Sequence, residues 1–109
     1  MKRNILFIIL AISPLFSWAT DAIDAKVTRA GVYGNGKLFV VLDTNIPQTE
    51  CVSKRFDVSP DHPQIERWLS IALAAAASES LIRVRTNGCL GGYPTMDNTT
   101  NSFFYYKKG

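Results

Sequence analysis

Residues 51–89, CVSKRFDVSPDHPQIERWLSIALAAAASESLIRVRTNGC, decide the fold of this chain. Two cysteines, Cys51 and Cys89, bracket one helix-like segment, with a strand-like run inside each of them. The helix signal opens at Ser59-Pro60-Asp61-His62-Pro63-Gln64. Asp61 is placed to cap free amides, and Gln64, three residues on, to close a capping box. Pro63 falls where a helical amide has no partner. Ile65, Trp68, Leu69, Ala72, Leu73 and Ala76 then make an apolar stripe at helical spacing. Ile71, Ala74 and Ala75 widen it until the second half is apolar nearly all round. The helix is expected to end at 78–80, and Leu81 to Thr86 reads as a strand. Ile82, Val84 and Thr86 share one face of that strand, Arg83 and Arg85 the other.

On the N-terminal side, Lys37 to Asp43 is the strongest strand pattern, with Leu38, Val40 and Leu42 on one face and Phe39 and Val41 on the other. Both faces are largely apolar, as in a central strand or in one that buries its second face against another chain. Gly34-Asn35-Gly36 is a hairpin turn, because Asn and Gly tolerate the positive φ such turns need. Ala25 to Val32 precedes it with no strongly apolar face, which suits an edge strand. Glu50 to Phe56 reads as a third strand with Val52 and Phe56 as its apolar positions. Beyond Cys89, residues 90–101 read as loop, and Ser102 to Lys107 as the last strand. The chain is thus mainly β with one helix, ordered β-β-β-α-β-β. Five short strands in this order can close into a small Greek-key barrel. An open antiparallel sheet with one packed helix is the other arrangement it allows.

Residues 1–19 read as a signal peptide: Lys2 and Arg3, an apolar run from Ile5, then Ser17-Trp18-Ala19 before the cut. The run is short for a membrane span and contains Pro14. Residues 20–109 are then a single exported domain, periplasmic or secreted, with no stable membrane span after cleavage. Ten Lys and Arg stand there against nine Asp and Glu, so most of the formal positive charge leaves with the signal. A near-neutral exported chain carries no phosphate track, which argues against nucleic acid. Two cysteines in an oxidising compartment read as one Cys51–Cys89 disulfide.

No catalytic, metal or cofactor constellation is expected. His62, the one histidine, has no second ligand and no nucleophile near it in sequence. Arg83 and Arg85, with Tyr93 to stack beside them, form a candidate ligand or partner surface. The excess apolar surface of the helix points to a homo-oligomer, its contact built on Ala72, Ala75 and Ala76.

The early strands, Cys51, Phe56, the helix from Ile65 to Ala76, Leu81–Thr86 and Cys89 together resemble the receptor-binding B subunits of AB5 toxins. The nearest likeness is to the subtilase cytotoxin and pertussis-like B subunits. That resemblance implies an OB-fold-like five-stranded Greek-key barrel, a homopentamer and a host glycan as ligand. It places sugar contacts near the early strands, where this chain has Thr28, Arg29 and Tyr33 but not the family's serine. The expected function is an exported non-catalytic binding module, toxin B-like and glycan-binding. The alternative is a small periplasmic structural or protein-interaction protein that binds an exported protein partner and no carbohydrate.

Overall fold

The computed structural model describes residues 20–107, so the expected signal peptide lies outside the described residues. Strands β1 (Ile23–Val32), β2 (Leu38–Ile46) and β3 (Ser53–Val58) come first. Helix α1 (Ile65–Ser78) follows, then β4 (Leu81–Arg85), β5 (Cys89–Leu90), β6 (Tyr93–Pro94) and β7 (Phe103–Lys107). Five of these form one antiparallel sheet in the order β3-β2-β1-β4-β7, and β5 and β6 form a separate hairpin.

The sheet is open, which corrects the expected OB-fold-like barrel and the toxin-like, glycan-binding identity attached to it. Its end strands β3 and β7 are not hydrogen-bonded to each other. The reason lies in residues 90–101, which are not simply loop. Gly91 and Gly92 have φ of 59° and 89°, the two positive values of a tight hairpin turn. The resulting β5–β6 hairpin lies beside β3, where a closing strand would have to pair. A parallel bridge joins Asp57 to Thr95, and Thr95 Oγ1 donates to the Asp57 carbonyl at 2.7 Å. The sheet still curls, bringing the inward rings of Phe56 and Phe104 to a centroid distance of 5.3 Å.

β1 is central, not an edge. Its pairing with β2 shifts register between Val27 and Arg29, so Thr28 is a bulge. The bulge resets the alternation: Ala25 and Val27 face the core before it, and Ala30 packs against the core after it. A strict period of two missed this by placing Val27 and Ala30 on opposite faces. The first half of β1 pairs with β4 and the second half with β2. Gly31 is opposite Phe39, whose ring lies 3.1 Å from where a Cβ would stand, so a side chain there requires the ring to shift by a few tenths of an ångström.

The core joins these inward positions to Leu38, Val40, Leu42, Phe56, Val58, Ile82, Val84 and Phe104. Trp68, Ala72 and Ala75 of α1 cover them at helical spacing. Val52, expected inward, precedes β3 and is 61% exposed. The helix start also differs. Asp61 does not cap it, and no side-chain cap bond is made at Gln64. His62 Nδ1 accepts from the Gln64 amide at 3.1 Å instead, and Ser59 Oγ accepts from the Asp61 amide. The helix ends on Glu79 in the left-handed region, φ 56°.

The disulfide forms as expected. Cys51 and Cys89 are bonded, with Cα atoms 6.2 Å apart, and join the start of β3 to the root of the hairpin.

Candidate interaction surface

Strand alternation sends Arg55 and Asp57 to the outer side of β3, opposite Val41 and Phe39. Arg55 grips the Asp57 carboxylate with Nε at 2.7 Å and Nη2 at 3.0 Å. Lys37 Nζ approaches the same carboxylate at 3.3 Å. Tyr93 stacks on the Arg55 guanidinium, 4.1 Å from ring centroid to Cζ. Tyr33 and Phe39 flank it at 5.6 and 5.3 Å, and Nη2 also donates to the Tyr33 hydroxyl. The hydrogen bonds to Asp57 hold the Arg55 pKa above its ordinary value. Asp57 is fully buried, so this cluster is a clamp between sheet and hairpin.

A second charged group sits on β1, β4 and β7. Asp24 receives Arg83 Nε and Lys107 Nζ, both at 2.8 Å. Those two hydrogen bonds, Arg83 first, lower its pKa from 3.8 to about 2. Arg85 Nε donates to the Thr20 carbonyl at 2.9 Å. At the bulge, Thr28 Oγ1 donates to the Val41 carbonyl, and Arg29 is exposed beside it.

The expected ligand residues therefore do not form one site. Tyr33 and Tyr93 meet around Arg55, a residue the sequence reading passed over. Arg83 and Arg85 are tied to other partners on the far half of the sheet, and Thr28 and Arg29 lie at the bulge. Ala72 and Ala75 are fully buried under the chain's own sheet, and Ala76 packs partly against it. Their burial removes the first two from any helix-to-helix contact.

A cleft of about 280 Å³ lies at the helix start, lined by His62, Gln64, Trp68 and residues 97–100 and 102. His62 and Asp97, its titratable groups, are occupied by the fold. With Nδ1 accepting from Gln64, His62 Nε2 carries the proton and donates to the Asp97 carbonyl at 2.6 Å. The Asp97 carboxylate accepts from Ser102 Oγ, Thr99 N, Thr99 Oγ1 and Asn87 Nδ2, which knots its own loop. Burial raises the Asp97 pKa, but these hydrogen bonds outweigh it and the net shift is downward. Among the described residues no group of three or more His, Cys, Asp or Glu is placed to hold a metal ion.

A groove of about 320 Å³ differs in kind. It opens between the tip of the β1–β2 hairpin and the front of α1, lined by Val32, Gly36, Pro60, Ile65, Glu66 and Leu69. Ile65, Leu69 and Leu73 follow one another at four-residue spacing and so share one helix flank. Val32 and Leu73 are each about half exposed, at 51% and 50%. Glu66, which is exposed, is the one acidic residue that lines the groove. No family model, curated protein or solved structure matches the chain. Among the described residues, no helix is long and apolar enough to cross a membrane.

Sequence reasoning missed this groove for a definite reason. The stripe Ile65-Leu69-Leu73 is visible in the sequence, but its apolar excess reads there as a subunit contact built on the alanines and not as one wall of a groove. Val32 lies in β1 beyond the cover of the helix, which only the packing of α1 across β1 reveals. Arg55 and Asp57 carried a readable signal, since opposite charges two apart share a strand face.

Proposed function

We propose that this protein is an exported, non-catalytic interaction module that seats a segment of a protein partner in the groove between the β1–β2 hairpin and α1. The observation that carries this reading is the apolar groove lined by half-exposed Val32, with half-exposed Leu73 one turn beyond Leu69 on the same helix flank. On so small a domain, contiguous exposed apolar surface ordinarily marks an interaction site. The Glu66 carboxylate in the groove lining selects the chemistry of the occupant: an apolar anchor next to Lys or Arg. Export is supported by the disulfide, since such bonds persist in oxidising compartments. The non-catalytic reading is supported by His62, both of whose ring nitrogens serve the fold.

The test is selection of peptides from a random library by the exported protein, followed by amide chemical-shift mapping. Selected peptides are expected to carry an aliphatic or aromatic residue beside a basic one. They are expected to shift Val32, Gly36, Ile65 and Leu69. Leu73→Glu and Glu66→Lys, both at exposed positions, are expected to weaken binding at least about tenfold. Shifts that map elsewhere, or binding unchanged in both variants, refute the groove.

A further inference from the structure

The two ends of the sheet differ. The edge of β3 is occupied by the hairpin and the Asp57–Thr95 bridge. β7 is the other terminal strand, and among the described residues nothing pairs with its outer edge through backbone hydrogen bonds. Tyr105 and Tyr106 are neighbours on opposite faces of β7, yet they are 45% and 47% exposed. Solvent therefore reaches the strand from both sides. A lysine on an edge strand commonly repels further pairing. Here the Lys107 ammonium is drawn sideways to Asp24, at 2.8 Å, and its charge is met there.

We infer that this edge pairs with the same edge of a second copy of the chain, the two β7 strands running antiparallel about a twofold axis at Tyr105. Two conditions on the described residues of β7 set the register. Residues directly opposite in an antiparallel pair share a face, so a continuous sheet needs inward Phe104 opposite an inward residue. Pairing all five residues, Phe103–Lys107, under that condition puts Tyr105 opposite Tyr105 of the second copy. Phe103 then faces the second copy's Lys107, and Phe104 faces the second copy's Tyr106.

The sequence FFYYK is self-complementary in this register. On the outer side the rows read Arg83, Tyr105, Tyr105, Arg83 and Arg85, Phe103, Lys107, Leu81 across the seam, by extension of the β4–β7 pairing. No like charges meet directly. Each lysine lies opposite a phenylalanine, its ammonium kept on Asp24 and its aliphatic stem left to pack on the ring. On the inner side, each half-exposed Tyr106 gains a buried Phe104 as neighbour. Its hydroxyl is already held by Ser78 Oγ at 2.8 Å and Ser80 Oγ at 3.0 Å, so the ring is in place before pairing. Aromatic cross-strand pairs are among the stabilising units of sheets. The groove takes no part, so dimerisation and partner capture are separate properties.

Sedimentation equilibrium of the protein purified from the periplasm of an expression host tests this pairing. The wild type is expected to show a reversible monomer–dimer equilibrium. Tyr105→Lys and Tyr105→Glu each place like charges at the axis and are expected to raise the dissociation constant at least about tenfold. Mixing the two variants is expected to restore association as a heterodimer. Amide exchange in residues 103–107 of the wild type is expected to slow as concentration rises, a readout that needs no variant to fold. A concentration-independent monomer overturns the proposal. So does a dimer indifferent to both substitutions, or one whose slowed amides lie outside β7.

Discussion

At the scale of single residues, the strongest constraint is a carboxylate on the outer side of the sheet with no exposure at all. Asp57 is compensated by Arg55 and Lys37. Asp57→Ala leaves two cations facing an apolar gap and is expected to cost about 3 kcal/mol in urea denaturation. Asp24 makes a pH prediction. Its folded pKa, about 2, lies below the ordinary 3.8, so folding favours the ionised form. The stabilisation is present above pH 3.8 and is lost as pH falls toward 2. Wild type is therefore expected to melt higher than Asp24→Asn near neutrality, with the gap closing through that window in thermal scans by circular dichroism. A gap that widens on acidification contradicts the Arg83–Asp24–Lys107 assignment. The outward direction of Arg83 and Arg85 was legible in the sequence, but their commitment to Asp24 and Thr20 was not. Those partners are 59 and 65 residues away, and nothing local announces a pairing at that distance.

At the scale of elements, α1 was legible from its capping segment and apolar stripe, β4 from its strict alternation, and β7 from a run of aromatics that favours a strand. β1 was not, because one extra residue at Thr28 shifts its phase and makes a central strand look like a polar edge. That difference is testable by deletion. Removing Thr28 regularises the ladder and leaves Val27 and Ala30 facing inward. Removing Ala30 inverts the phase of Gly31 and Val32 relative to the core. The first variant is expected to retain a cooperative melt and the second to lose it. The helix shows a complementary failure of reading. Its alanines looked like surplus apolar surface, but Ala72 and Ala75 are the small contacts that let α1 lie close to the sheet. Ala75→Leu is expected to destabilise the fold by about 1–3 kcal/mol through crowding, as read by chemical denaturation, with no change in assembly state.

At the scale of the whole molecule, the element order was legible and closure of the sheet was not. The order of strands along the chain is compatible with both a barrel and an open sheet. What separates them is the hairpin of residues 89–94, whose Gly91-Gly92 turn was visible but whose position beside β3 was not. The disulfide fixes that position. A loop of 38 residues closed by one bond is worth about 4 kcal/mol in the chain-entropy estimate. The Cys51→Ser, Cys89→Ser double variant is expected to lose that much in chemical denaturation. The same bond also sets a number. With the hairpin anchored, the five-stranded sheet has one free edge among the described residues; with the thiols reduced and the hairpin released, it has two. In the language of polymer chemistry, the oxidised protein is a monofunctional unit that stops at a pair, and the reduced protein a bifunctional one that propagates without end. Cys51 and Cys89 thus act as a chain terminator, and light scattering under reductant is expected to grow with time where the oxidised protein stays flat.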